Sequence, residues 1–112
     1  KLQTTNADYC FTATSFPFPI QRAIKLTQNE RVEMFYPEHF STRSQDLEEA
    51  YHDAGQFYWG KAEAWKTETR LFSDRATAYI LPRHLVQDID TPEDWKRAEL
   101  MYQLLKQSGE LA

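Results

Sequence analysis

An extended run gives way to a helix at Thr91-Pro92, and this junction constrains the fold more than any other stretch of the chain. Thr91 has the side chain of an N-cap, Pro92 suits the first helical position, and Asp94 falls at the third. Glu93 and Asp94 also lie well against the positive end of a helix. Beyond them, Trp95, Ala98, Tyr102 and Leu105 recur at steps of three and four, and Met101 and Leu104 widen the stripe. Lys96, Arg97, Glu99 and Lys106 take the other face. Gly109 stands where a helix favours a glycine terminator. The pattern predicts a helix over residues 92–107.

The rest of the chain reads as a series of short elements. Residues 9–14 alternate aromatic and small side chains and predict a strand. Pro17 and Pro19 then forbid regular structure over residues 15–19. Residues 20–26 and 31–36 are two extended candidates joined by the polar turn Thr27-Gln28-Asn29-Glu30, which predicts a hairpin over 20–36. Residues 37–49 are polar and charged and read as a long loop with at most a turn of helix, and long loops in compact domains often carry function. Gly55 breaks the chain before a short aromatic strand at 56–59. Helix formers follow at 61–68, then a strand at 75–81 ended by Pro82. The order strand, hairpin, loop, strand, helix, strand, helix is that of a mixed α/β domain. A chain of 112 residues, 41% of them hydrophobic, suits one small domain or part of a larger one.

Capping accounts for Thr91 to Asp94 but not for Asp88 and Asp90, which precede the cap. In a strand these two would point to the same side. A pair of carboxylates on one side is a hard-oxygen site suited to Mg²⁺, which takes one or two carboxylates plus substrate phosphates. The formal charge of -4 argues against a general nucleic-acid binder, which shows a basic face. It also means that an anionic nucleotide needs a cation to approach. The single cysteine, Cys10, flanked by Tyr9 and Phe11, reads as a core residue, and the absence of an internal disulfide points to a reducing compartment, the cytoplasm. No apolar run approaches membrane-spanning length. His39, His52 and His84 lie too far apart for a zinc helix. No glycine-rich phosphate cradle is visible. Arg43, in the polar loop with Gln45, is either a bidentate partner for a carboxylate or phosphate or a solvated surface residue.

Three blocks occur in order: Phe40-Ser41-Thr42-Arg43-Ser44-Gln45-Asp46-Leu47, Ala50-Tyr51-His52-Asp53-Ala54-Gly55-Gln56-Phe57-Tyr58, and Asp88-Ile89-Asp90-Thr91-Pro92-Glu93-Asp94-Trp95. Together they resemble the C-terminal half of the acylneuraminate cytidylyltransferases. The runs from Ser15 to Ala23 and from Thr42 to Gly60 are most similar to the pseudaminic acid branch of that family. The resemblance covers nearly the whole chain.

The resemblance implies an α/β nucleotidyltransferase with a Rossmann-like sheet, of which this chain is the C-terminal part: a mixed sheet with a β-hairpin and a C-terminal helix. It implies an enzyme that joins CMP from CTP to a nine-carbon acidic sugar and releases pyrophosphate, with Mg²⁺ as cofactor. It implies a homodimer in which the hairpin segment, residues 20–36, meets the partner. By the same resemblance Asp88 and Asp90 are the catalytic, metal-carrying pair, and Arg43 and Gln45 fall in a region that contacts the sugar. Tyr51, Gln56 and Tyr58 line that region by position. The family's Arg-x-Gly-Ser-Lys loop, which holds the CTP phosphates, is absent, as is the segment that recognises cytosine. Residues 1–112 are therefore expected to form the C-terminal half of a single nucleotidyltransferase domain, inactive by themselves. Two other readings stay open: a non-catalytic dimerisation or interaction module, and a cytidylyltransferase for sialic acid or another 3-deoxy-ulosonic acid.

Overall fold

The computed structural model describes residues 1–111. Its elements are β1 (Tyr9–Ser15), β2 (Ile24–Leu26), β3 (Val32–Met34), β4 (Tyr51–Gly60), α1 (Ala62–Lys66), β5 (Ala76–Ile80) and α2 (Pro92–Ser108), with four short 3-10 turns between them. This is the mixed α/β order that the sequence predicts. The chain divides into two compact units: Lys1–Thr14 together with the chain from Asp53 onward, and Ser15–His52.

The first unit is built around β1, the centre of a three-stranded sheet in the order β4-β1-β5. β5 runs parallel to β1, in the register Tyr9↔Ala76 to Ala13↔Ile80. Asp8 ties the start of β1 to both neighbours. Its amide donates to the Arg75 carbonyl (2.8 Å) and its carbonyl accepts from the Lys61 amide (2.9 Å). Its carboxylate meets Arg75 Nε at 2.8 Å and Lys61 Nζ at 3.7 Å. The Arg75 hydrogen bond, against a smaller opposing effect of burial, holds the Asp8 carboxyl below its ordinary value.

Tyr9 is the largest side chain of the core. Its ring packs edge-on against Trp65 at 4.8 Å. Its hydroxyl donates to the Ala64 carbonyl (3.1 Å) and lies 2.7 Å from that of Thr69, so burial leaves no polar atom of the ring unpartnered. Gly60, at the end of β4, lets these rings close over the backbone: a Cβ there would come within 2.6 Å of both Tyr9 and Trp65.

The predicted C-terminal helix is present, and its cap is a full capping box. Asp94 N–H donates to Thr91 Oγ1, and Thr91 N–H donates to Asp94 Oδ2, both at 3.1 Å. Gly109 ends it in the left-handed conformation, φ 81°. The apolar stripe is only partly covered. Ala98, Met101 and Leu105 are half-buried, whereas Trp95, Tyr102 and Leu104 are exposed. The stripe spans a wider arc than one packed face, so its flanks stay open in this chain.

In the second unit, β2 and β3 pair antiparallel as the predicted hairpin, with Ile24↔Met34, Lys25↔Glu33 and Leu26↔Val32. The strands are shorter than expected, because Pro19 leads into a 3-10 turn at Ile20–Arg22 that occupies the start of the predicted strand. The turn places Glu30 in the left-handed region (φ 58°). The expected loop contains two 3-10 turns, Pro37–His39 and Ser44–Asp46. It is tied down within the unit by the Arg22 guanidinium on the Thr42 carbonyl and by Gln21 Nε2 on that of Glu48 (3.2 Å).

Candidate functional site

Asp88 and Asp90 lie in residues 86–90, which have no regular structure. The expectation that both carboxylates share one side of a strand is therefore corrected: β5 stops at Ile80, Pro82 follows, and no ladder reaches the aspartates. They are organised by other means. Asp90 N–H donates to Asp94 Oδ2 (3.0 Å), so the capping carboxylate holds the residue before the cap as well as the cap itself. These two amides and the Thr91 side chain, with the Asp90 amide foremost, draw the Asp94 carboxyl below its ordinary value against the opposing effect of burial. Both Asp88 and Asp90 are exposed, and neither forms an ion pair among the described residues. No group of three or more His, Cys, Asp or Glu gathers as a metal site among those residues.

Asp88 approaches β4. A Cβ on Gly55 would stand 3.9 Å from the Asp88 carboxylate. Gly55 has φ 69°, a conformation that favours glycine, and it kinks β4 in mid-strand. The expected short strand at 56–59 is thus longer, Tyr51–Gly60, and runs through the glycine rather than starting after it. Asp53 fixes the kink: its Oδ1 accepts the Gly55 amide (2.8 Å), and its Oδ2 accepts the Tyr58 hydroxyl. That hydrogen bond, then burial and the charges of Asp53 and Asp88, push the Tyr58 hydroxyl pKa up. Gln56 donates from Nε2 to the Leu85 carbonyl (3.2 Å), and so ties β4 to the turn that leads to Asp88. Asp88, Gln56 and Tyr58, three of the residues singled out from sequence, thus fall in one neighbourhood.

Sequence reasoning missed Asp53. Residues five apart in a flat strand point to opposite faces, so nothing in the spacing pairs Asp53 with Tyr58. The readable signal was the glycine between them, since a glycine inside a strand marks a bulge or bend that breaks the alternation.

Arg43, Gln45 and Tyr51 belong to the second unit. Arg43 precedes the 3-10 turn Ser44–Asp46, with its side chain 75% exposed and its Nε 3.5 Å from Asp46 Oδ2. Gln45 is exposed on the same turn. Tyr51 opens β4, and the charge of Glu49, with lesser effects of burial and a hydrogen bond, raises its pKa. Arg43 and Gln45 offer a guanidinium and an amide from one turn, the donor chemistry that suits a carboxylate and its neighbouring hydroxyls.

No family model matches the chain. It is 44% identical over 109 residues to the pseudaminic acid cytidylyltransferases of two Campylobacter jejuni strains, a match covering 97% of this chain and 47% of each relative. It is 43% identical over 84 residues to a Helicobacter pylori protein named pseudaminic acid cytidylyltransferase and UDP-2,4-diacetamido-2,4,6-trideoxy-beta-L-altropyranose hydrolase, covering 75% of this chain and 16% of that protein. The chain spans about half the length of the Campylobacter relatives.

Proposed function

This chain is homologous to about half of the pseudaminic acid cytidylyltransferases, and on that premise we propose that the protein carrying it activates a nine-carbon acidic sugar, pseudaminic acid first among them, with CTP. The sugar's anomeric hydroxyl forms a bond to the α-phosphorus of CTP. The bond from that phosphorus to the bridging oxygen breaks, pyrophosphate leaves, and the hydroxyl proton passes to solvent or a base. The observation that carries this reading is the 44% identity along nearly the whole chain. In this reading residues 1–112 are the C-terminal half of one cytoplasmic nucleotidyltransferase domain, and the CTP-phosphate loop lies elsewhere in the protein.

Asp88 and Asp90 have the chemistry of a Mg²⁺ site. They are hard carboxylates, exposed and free of ion pairs among the described residues, and two carboxylates suffice where substrate phosphates complete the shell. When bound, the ion neutralises charge on the phosphates and on departing pyrophosphate. The chain's own residues do the rest. Asp94 holds the Asp90 backbone, Gln56 ties β4 to the turn before Asp88, and Arg43 with Gln45 binds the sugar carboxylate. Tyr51 and Tyr58 offer hydroxyls to the sugar.

The hairpin residues 20–36 are the proposed homodimer surface. Ile24, Leu26, Val32 and Phe35 are all exposed on it, and a short hairpin gains little stability unless it packs against something. That same exposed face favours the second reading, an interaction module without catalysis.

Turnover of the intact protein with CTP, Mg²⁺ and a panel of pseudaminic, sialic and other 3-deoxy-ulosonic acids separates the readings. Release of pyrophosphate with pseudaminic acid, lowered about a hundredfold or more by Asp88→Asn or Asp90→Asn, is the expected result. Absence of pyrophosphate release with every sugar leaves the interaction module.

A further inference from the structure

We propose that Asp53 is a positioning residue that fixes the hydrogen-bond polarity of Tyr58, so that Tyr58 serves the sugar as an acceptor rather than a donor. The inference rests on the sugar-binding reading given above for Tyr58. One carboxylate holds both ends of the kink: Oδ1 takes the Gly55 amide at 2.8 Å and Oδ2 takes the Tyr58 hydroxyl proton. Asp53 is half-buried, whereas Tyr58 is exposed. A phenol has one proton to give. With that proton committed to Asp53, the lone pairs of the Tyr58 oxygen remain for an incoming group. The group that fits is a donor: a sugar hydroxyl or an amide N–H.

The kink makes the arrangement. In a regular strand Asp53 and Tyr58 would face opposite sides; the left-handed Gly55, φ 69°, breaks that alternation. Asp53→Asn is the informative change. The asparagine oxygen still accepts the Gly55 amide, but its amide nitrogen now faces Tyr58 and can only donate. The Tyr58 proton is then turned outward, and the polarity of the oxygen is inverted while the kink remains.

The experiment uses the intact protein with two readouts. In ultraviolet titration, the absorbance lost in Tyr58→Phe is expected to belong to a tyrosine that titrates above the ordinary value, and Asp53→Asn is expected to move that component to lower pH. In steady-state kinetics with pseudaminic acid and CTP, Asp53→Asn is expected to raise the sugar KM about tenfold with the CTP KM and the thermal midpoint unchanged. In a Tyr58→Phe background the same substitution should add nothing. An unmoved tyrosine component overturns the proposal whether or not the protein turns over. An active enzyme whose sugar KM ignores Asp53→Asn, or whose two substitutions act additively, overturns it as well. A wild-type protein inactive toward every sugar overturns the enzyme reading, and with it the acceptor role toward a sugar, while the titration still decides the Asp53–Tyr58 bond.

Discussion

All buried residues among those described lie in the sheet unit: Ala7, Tyr9, Cys10, Thr12, Ala13, Thr14, Ala54 and Ala64. The unit of residues 15–52 has none, and is held by backbone hydrogen bonds, side-chain-to-carbonyl ties and the Lys25–Glu33 ion pair at 3.8 Å. The first unit therefore draws its stability from packing, the second from polar ties that water competes for. The proposed roles divide along the same line. The carboxylates proposed for the metal stand on the packed unit, and Arg43, proposed for the sugar acid, stands on the open one.

The largest effect should come from the core. Tyr9→Ala removes the ring that Trp65 packs against and is expected to cost about 3–5 kcal/mol of stability, read by urea unfolding. If it costs no more than a hairpin substitution, the contrast between the units is void. Next comes Arg43→Lys, which exchanges a planar fork for a point charge. The sugar KM should rise about tenfold to a hundredfold, the equivalent of about 1.5–3 kcal/mol, with the CTP KM and thermal midpoint unmoved. A fall in the midpoint would place Arg43 among the structural ties of its unit instead.

Asp8→Asn should act more mildly and with a pH signature. The carboxyl is held below its ordinary value of 3.8 by Arg75 first. Its contribution is present above that value and disappears as pH falls through the lowered folded-state value. Wild type and variant should differ in thermal midpoint at neutral pH and converge in acid; a gap that persists there would trace to something other than the charge. The smallest effect is expected at Leu26→Ser on the hairpin. At protein concentrations where the chain is monomeric, stability should change by no more than about 0.5 kcal/mol, while sedimentation shows weaker self-association. A large loss of monomer stability would mean that the hairpin packs within its own chain.

The sequence carried the helix α2 well because three independent signals agree there: Thr91 and Asp94 at the start, the three-and-four spacing, and Gly109 at the end. It carried the hairpin less fully, since Pro19 and the following 3-10 turn leave only three residues for each strand. The kink was misread for a specific reason. Gly55 looks like a breaker in the linear sequence, yet in the fold it is what allows β4 to bend without ending. The same local reading gave Asp88 and Asp90 a strand to stand on, because an apolar residue between two polar ones fits alternation equally well when no ladder is within reach. Strand pairing is a long-range fact that short spacing does not encode: Tyr9 finds Ala76 far along the chain.

Asp94 accepts two amide protons on one oxygen, from Thr91 at the cap and from Asp90 just outside it. A residue without regular structure is in this way indexed to the first turn of a helix. Its amide should resist exchange with deuterium as if it were helical, and should open in the same event as that of Thr91. The depressed Asp94 carboxyl carries this protection to lower pH than an ordinary aspartate would. The Asp90 amide is thus a local gauge of whether the end of α2 is wound or frayed, and the position of its carboxylate is only as steady as that single turn.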